Sequence, residues 1–557
     1  PQIGPPQFEP PQLEQPQIGP PQTATEISGE TPLGSIATGA EPNPFLTSNI
    51  GQPVNPLMTS NIGQPVNPQI PSNIGQPMSQ PQDGHFYNPP PDYSAMMKQY
   101  TQREIIATVQ HFNRELLLVA YTAETDDFIV LLPGYVDQPR PICDGGCIRI
   151  KNIIQTVLFA FRKQMPFRFP QYGGKDLLFL VSTGDLPRLT RQCLEHPIFC
   201  KRQIGFAPIL HFGSLFQDKT ILPSVVLMPP PAPLTRHLKC MQEWQISHRV
   251  CDCLLPKQTS DFGGGNCGFV FGEHVNNMQW EDLKPQVVWR GGEVPYLPLL
   301  YPHLRKLDYE EDIEPVIEDY GDDVEGVIRA ARDVYDTLQP RWKAVVITAE
   351  AENDAKKSAD SSELPWANMK FFTADFPPDQ WNNLGIPAMG DEMSLEELAK
   401  FKYHIDIAGG RGTAMENPNT KHHNPGTLEK LALPGLLFHH VSGAKDWFHE
   451  HLVPWVHYVP VKEDLSDLRQ MYEWAEENDE KARAIANAGT DFVRQMGRPE
   501  GMDELYRRHL LKPLQDIIEA FQPIEATTIL SVVNDGGLVF ADVMRCNGYN
   551  VNECILA

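Results

Sequence analysis

The sequence predicts a mixed α/β protein: two α/β units in tandem, each wound around its own sheet with a cleft between them, behind a Pro-rich arm. Three observations predict it. From Tyr93 onward short apolar runs alternate with amphipathic stretches of helical spacing, the pattern of layered α/β domains. The 557-residue length allows about three or four domains at ~100–200 residues each. Of the 53 prolines, 21 fall in residues 1–92 and set that stretch apart.

The arm is repetitive. PQIGPPQ occurs at Pro1–Gln7 and again at Pro16–Gln22, and SNIGQP recurs at Ser48, Ser60 and Ser72, a period of twelve residues. Such a stretch holds too few large apolar residues to offset its ordering entropy, and its proline spacing favours extended conformers. A flexible stalk is expected for residues 1–92, with a ligand array for Pro-binding domains as the sharper alternative.

The first unit is expected over residues 93–275. Thr108–Tyr121 and Asp127–Tyr135 read as strand material. Ile148–Lys163 carries apolar residues on one helical face, at Ile150, Ile153, Ile154, Val157, Leu158 and Phe161. Asp176–Ser182, Pro208–Phe212 and Pro223–Met228 read as short buried strands. The second unit is expected over residues 276–525, with residues 526–557 as a tail. It opens with the strand Gln286–Trp289, and Asp308–Glu325 then holds ten acidic residues, read as a solvated face. A helical stripe runs from Val324 to Leu338. Lys343–Thr348, Tyr403–Ile407, Gly435–His440 and Trp455–Val461 read as strands. Helices are expected from Leu465, across Ala482–Phe492, and over Leu505–Phe521, where Pro513 is expected to kink the chain.

Charge and cysteine content narrow the function. A net charge of −25 argues against a general nucleic-acid binder and against a polybasic membrane-surface protein. No apolar run reaches the ~18 residues of a spanning helix. The sequence starts at Pro1 rather than Met, so a preceding signal peptide or single membrane anchor stays open. Of the ten cysteines, eight lie between Cys143 and Cys267 and two near the C-terminus, with no CxxC pair. That distribution suits disulfides of a secretory-pathway protein better than a zinc ribbon. The absence of any Asn-x-Ser/Thr sequon weighs the other way.

Two loops carry the expected chemistry. Trp289-Arg290-Gly291-Gly292 places a permanent cation and two glycines at the end of a buried strand, so backbone amides approach a ligand closely. Ala408-Gly409-Gly410-Arg411-Gly412-Thr413 repeats the device after Tyr403–Ile407. Two such loops in one α/β unit suggest a diphosphate pocket, without the spacing of a dinucleotide fingerprint or a P-loop. The histidines between His422 and His457 are dense, but His439 and His440 alternate faces of a strand and cannot serve one metal.

WRGG, the stretch Lys402–Gly409 and PWVHYVPVKEDLSDLRQMYEWAEEND at Pro454–Asp479 together resemble glycosyltransferase family 90, the capsule-associated and protein O-glucosyltransferase-like enzymes with a CAP10-type domain. The resemblance covers residues 280–500 and extends back toward residue 100. It implies a GT-B fold, a pair of Rossmann-type lobes. It implies an inverting, metal-independent transfer of glucose or xylose from a UDP-sugar to a hydroxyl of a protein or glycan, in the lumen of the endoplasmic reticulum or Golgi, with no cofactor. Asp185, in Ser182–Pro187, matches the family's catalytic base. Arg290, Gly291 and Gly292 match its diphosphate loop, and Gly409, Gly410, Arg411, Thr427 and Lys430 fall in its second nucleotide-sugar region. Two family arginines are missing. Pro298 stands where a second arginine follows the first loop, and an insertion at Ala414–Gly426 leaves Thr427, Glu429 and Lys430 where a Ser-x-Arg is expected. These departures keep a non-catalytic binding or scaffold relative as the alternative. A metal-dependent transferase using Asp322 and Asp323 is disfavoured, because no apolar strand precedes that pair.

Overall fold

The computed structural model describes residues 99–111, 116–122, 127–133, 177–182, 207–211, 213–215, 225–227, 278–298, 301–321, 323–358, 364–373, 378–410, 426–496, 501, 504–505, 507–522, 540–546 and 554–556. The Pro-rich arm, the helix expected at Ile148–Lys163, Asp185, Arg411 and the cysteines from Cys143 to Cys267 lie outside the described residues.

A mixed sheet begins the described fold. Helix α1 (Gln102–His111) leads into β1 (Leu116–Thr122) and β2 (Asp127–Pro133), followed by β3 (Leu177–Ser182), β4 (Ile209–His211), β5 (Gly213–Leu215) and β6 (Val225–Leu227). Thr108, expected in a strand, is buried in α1, where its hydroxyl donates to the Glu104 carbonyl at 2.6 Å and accepts from the Ala207 amide at 2.8 Å. Six consecutive buried residues in β3 mark a strand covered on both faces. β3, β4 and β6 run parallel, while β1 and β2 are antiparallel to their neighbours. The C-terminal residues do not form a mere tail. β13 (Phe540–Cys546) and β14 (Cys554–Leu556) extend this sheet beyond β2, giving the order β14-β13-β2-β1-β3-β4-β6.

The second sheet is entirely parallel. Its strands are β7 (Lys284–Gly292), β8 (Ala367–Thr373), β9 (Phe401–Asp406), β10 (Leu436–His440) and β12 (Val459–Val461), in the order β12-β10-β9-β7-β8. In chain order this is 2-1-3-4-5, a doubly wound arrangement with its switch point between β7 and β9. Trp289, Phe371, Tyr403 and Phe438 fill its core. Trp289 and Phe371 meet edge to face at 5.8 Å, and Tyr403 stacks on Phe438 at 5.4 Å.

The connection from β7 to β8 is long. It carries a π-helical turn (Tyr309–Ile313), α2 (Glu314–Tyr320), α3 (Val324–Asp333) and α4 (Pro340–Lys357). The stretch Lys343–Thr348, expected as a strand, is the interior of α4. Pro340 sits in its first turn, and Pro340 through Ala349 are buried all round. A helix buried on every side has no apolar stripe, so its short apolar run looks like a strand. The acidic run is only partly a solvated face. Asp312 is 3% exposed and accepts a two-pronged bond from Arg305, and Asp323 caps α3 by accepting from the Gly326 amide at 2.7 Å.

Helices α5 (Pro378–Asn383), α6 (Leu395–Leu398), α7 (Thr427–Ala432), α8 (Leu468–Glu477), α9 (Asp479–Met496) and α10 (Lys512–Ala520) complete the described helices. The strand expected over Trp455–Val461 starts only at Val459, because Trp455 takes φ 65° in the preceding turn. Pro513 lies within a continuous helical run, Arg507–Ala520, next to the point where a π-helical turn at Arg507–Leu511 passes into α10. A two-stranded ribbon of β5 with β11 (Ala444–Asp446) links the chain just after β4 to the chain just after β10.

Candidate functional site: the crevice at the switch point

In an open parallel sheet, ligands bind outside the carboxyl ends of the strands where the strand order reverses. Here that point lies between the ends of β7 and β9. Gly291 and Gly292 close β7, and Ala408, Gly409 and Gly410 follow β9. Both glycine loops picked out in the sequence therefore flank one crevice. Register places Val288 beside His404 on these parallel strands, so Arg290 and Asp406 stand level, two residues further on.

Arg290 is 5% exposed and its side chain is engaged by the chain itself. Its Nε donates to the Asp391 carbonyl at 3.0 Å, its Nη1 to the carbonyls of Trp289 and Asn368 at 2.8 and 2.9 Å, and its Nη2 to Asn368 Oδ1 at 3.0 Å. Those bonds leave one of the guanidinium's five N–H groups. The side chain is thus turned toward β8 and the turn at Gly390–Asp391.

The cation at the switch point is Arg341, which the sequence reading did not single out. It is the second residue of α4, and its side chain enters between the two loops. Nη1 donates to the Gly292 carbonyl at 2.5 Å and Nη2 to the Ile407 carbonyl at 3.3 Å. A Cβ added to Gly409 would stand 2.6 Å from Nη2, so the second loop needs its glycine to let this guanidinium pass. Arg341 is 7% exposed, and its Nε has no hydrogen-bond partner among the described residues. Burial alone pushes its pKa down, to about 10, with no carboxylate set against it. The helix end around it has the same polarity. Gln339 at the N-cap makes no side-chain cap bond, Pro340 opens the helix, and the first turn has no acidic residue. The one available signal was Gln339-Pro340-Arg341, where proline marks the first turn of a helix.

A second buried group approaches from α7. Asp406, at the end of β9, accepts from the Thr427 hydroxyl at 2.6 Å, from His439 Nδ1 at 2.7 Å and from the His440 amide at 3.0 Å. Burial would raise the Asp406 pKa, but the His439 ring, the Lys430 charge and the Thr427 hydroxyl together hold it below the ordinary value. Lys430 is 3% exposed. Burial pushes its pKa down to about 8, against the pull of Asp406 and helped by the like charge of Arg341. His440 turns elsewhere: Nδ1 accepts from the Ala408 amide at 3.1 Å, and Nε2 lies 2.7 Å from the Glu463 carbonyl. The two adjacent histidines thus serve different partners, as strand alternation requires. Among the described residues no group of three or more His, Cys, Asp or Glu is placed to hold a metal.

The structure therefore brings Gly291, Gly292, Gly409, Gly410, Thr427 and Lys430 to one end of the second sheet, with Arg341 among them. Arg290 lies at the same end but faces β8. Asp185 and Arg411 lie outside the described residues. β3 ends at Ser182, three residues before Asp185.

A doubly wound parallel sheet with buried cations at its switch point is an arrangement suited to an anionic ligand. Comparison with known proteins specifies it further. Residues 364–518 match the model of glycosyl transferase family 90. The chain is 35% identical over 133 residues to human protein O-glucosyltransferase 1, covering 23% of this chain and 31% of that protein. It is 45% identical over 120 residues to protein O-glucosyltransferase 3 of Rattus norvegicus, 22% of each chain. To protein O-glucosyltransferase 2 of Danio rerio it is 35% identical over 108 residues, 18% of each. Residues 364–518 are thus similar to glycosyl transferase family 90, and the similarity covers that segment alone. It spans less than a third of the length of these relatives. The matched segment holds the second glycine loop, Asp406, Thr427 and Lys430, whereas Arg290 and Arg341 precede it.

Proposed function

We propose that this chain is a UDP-sugar-dependent glycosyltransferase that moves glucose or xylose to a hydroxyl of a protein or glycan in the secretory pathway, inverting the anomeric carbon without a metal. The observation that carries the reading is Arg341: a buried guanidinium with no opposing carboxylate, held between two glycine loops at a helix N-terminus. A buried cation without a counter-charge is costly, and an anionic ligand relieves that cost. The diphosphate of a nucleotide-sugar has the charge and size for the site.

In this reading the departing diphosphate is held by the charge of Arg341 and by amides of the two glycine loops, and Lys430 adds charge from the other face of the sheet. Arg341 supplies the cation that family resemblance places near Pro298, and the long β7–β8 connection explains its delayed position in sequence. Arg290 holds the first loop in shape through its carbonyl bonds. Asp185, as general base, takes the proton of the acceptor hydroxyl as its oxygen attacks the anomeric carbon and the bond to the diphosphate breaks. The secretory location rests on the family resemblance. No helix among the described residues is long and apolar enough to cross a membrane. The alternative of a non-catalytic binder draws on Arg290, whose donors are largely consumed within the chain.

The test pairs binding with turnover, using UDP-glucose and UDP-xylose with and without EDTA. Arg341→Ala is expected to weaken UDP binding by about tenfold to a hundredfold, the scale of a lost charge-assisted contact. Asp185→Asn should abolish EDTA-resistant UDP release and leave UDP binding intact. Failure of the unaltered chain to bind UDP or either donor overturns the reading. Binding without turnover in the presence of acceptor favours the non-catalytic alternative.

A further inference from the structure

A groove of about 410 Å³ lies on the outer side of the second sheet, between α3, α4, the residue before β8 and the start of α8. Its volume falls in the range of about 300–1,000 Å³ usual for small-molecule sites. Asn353, in its wall, stands twelve residues along α4 from Arg341, or about 18 Å at the rise of an α-helix. The groove is therefore separate from the crevice. Its α3 and α4 walls precede the segment matched by the family model.

We propose that this groove binds a neutral saccharide. Its floor is apolar and fixed, with Tyr335, Ile347 and Leu465 all buried. Its aromatic wall is Trp366, half-buried and braced against Tyr472 at 5.3 Å. The charged groups around it are already matched. Arg332 pairs with Glu350, Lys357 and Arg329 with Glu325, and Arg469 with Asp354 at 3.5 Å. Arg332 also covers the Tyr335 ring at 4.1 Å, and Arg469 the Trp366 ring at 5.8 Å. Four cations against three carboxylates leave the lining close to neutral. A strongly anionic ligand would have to displace carboxylates from their partners. A polyhydroxylated ring would instead take hydrogen bonds from fixed donors and acceptors while its C–H face rests on an aromatic ring. The Asn353 carboxamide, half-buried, has no hydrogen-bond partner among the described residues and offers both a donor and an acceptor. The proposal is independent of the donor reading of the crevice.

The test uses the full chain, with maltotriose and xylotriose as neutral probes and inositol hexakisphosphate as an anionic one. Ligand-observed NMR titration is run on the unaltered chain and on Trp366→Ala, Asn353→Ala and Arg341→Ala. Saturable binding of a neutral trisaccharide is expected, about fivefold weaker in the Trp366 or Asn353 variant, in line with one lost ring or amide contact. Arg341→Ala and excess UDP should leave it unchanged. Asn353→Ala keeps the test valid if loss of the Trp366–Tyr472 contact unfolds the domain. Absence of trisaccharide binding, binding that both groove variants retain in full, or tighter binding of the polyanion at this groove overturns the proposal. UDP binding measured on the same samples separates this result from the fate of the crevice reading.

Discussion

Lys430 is a residue kept at a cost. Its ammonium is buried beside Asp406 yet hydrogen-bonds to none of the described residues, and Asp406 already accepts from Thr427, His439 and the His440 amide. Removing the lysine leaves Asp406 its three hydrogen-bond donors, costs it the pull of the lysine charge, and removes a poorly solvated ammonium. Lys430→Met is therefore expected to stabilise the chain by about 1–3 kcal/mol near neutral pH while weakening UDP binding. The sign of its pH dependence follows from a pKa of about 8 in the fold against 10.5 for the free side chain. Between those values the unfolded chain holds more protons than the native one, so this lysine's destabilising effect fades as pH rises through that window. The stability gap between the variant and the unaltered chain should be full below about pH 8 and shrink above it. Urea unfolding across that range measures it, and a gap that is absent or widens with pH would refute a costly buried charge. Thr427 and Lys430 were legible in the sequence because a family pattern pointed to their positions. Arg341 was not, since no local feature reveals that a residue 51 positions after Arg290 returns to the same strand end.

At the scale of elements, period and punctuation worked where one face is buried and failed where all faces are. The stripe from Val324 gave α3, whose buried side is Val327, Ile328, Ala330 and Ala331. The buried first half of α4 passed for a strand, and only Pro340 in its first turn spoke for a helix. The acidic run shows a different limit. A count of charges says nothing of which carboxylate folds inward, and Asp312 and Asp323 both act structurally. Asp323 caps α3, so Asp323→Ala is expected to cost about 1 kcal/mol of stability, the usual value of an N-cap. UDP binding, with or without EDTA, should be unaffected. A loss of EDTA-sensitive activity without a loss of stability would instead make Asp323 a metal ligand.

For the whole molecule, the α/β character of the second unit was legible from alternating strands and helices, but its strand β8 and the ends of the first sheet were not. β13 lies more than four hundred residues from its partner β2, and no local pattern announces such a pairing. The same long-range packing buries histidines from distant segments in a neutral state. His451 Nε2 lies 2.8 Å from His509 Nε2, joining the chain after β11 to the π-helical turn before α10. Burial lowers the pKa of His404, His457 and His509 to about 4 and that of His451 to about 3, from an ordinary 6.5. For His451 the neighbouring His509 and Arg508 add to the shift, and for His509 Arg508 does. As pH falls from 6.5 toward 4, these rings protonate in the unfolded chain but not in the native one. Stability then falls with pH, by up to about 1.4 kcal/mol per pH unit for each ring, so the four together give an acid limb of up to about 5 kcal/mol per unit. Denaturant unfolding between about pH 7 and about pH 5 tests this, with a midpoint expected to drop steeply over a range in which ordinary carboxylates stay charged. A midpoint that stays flat across that range would mean that these histidines are protonated in the fold and that their burial is looser than the packing around His451 and His509 shows.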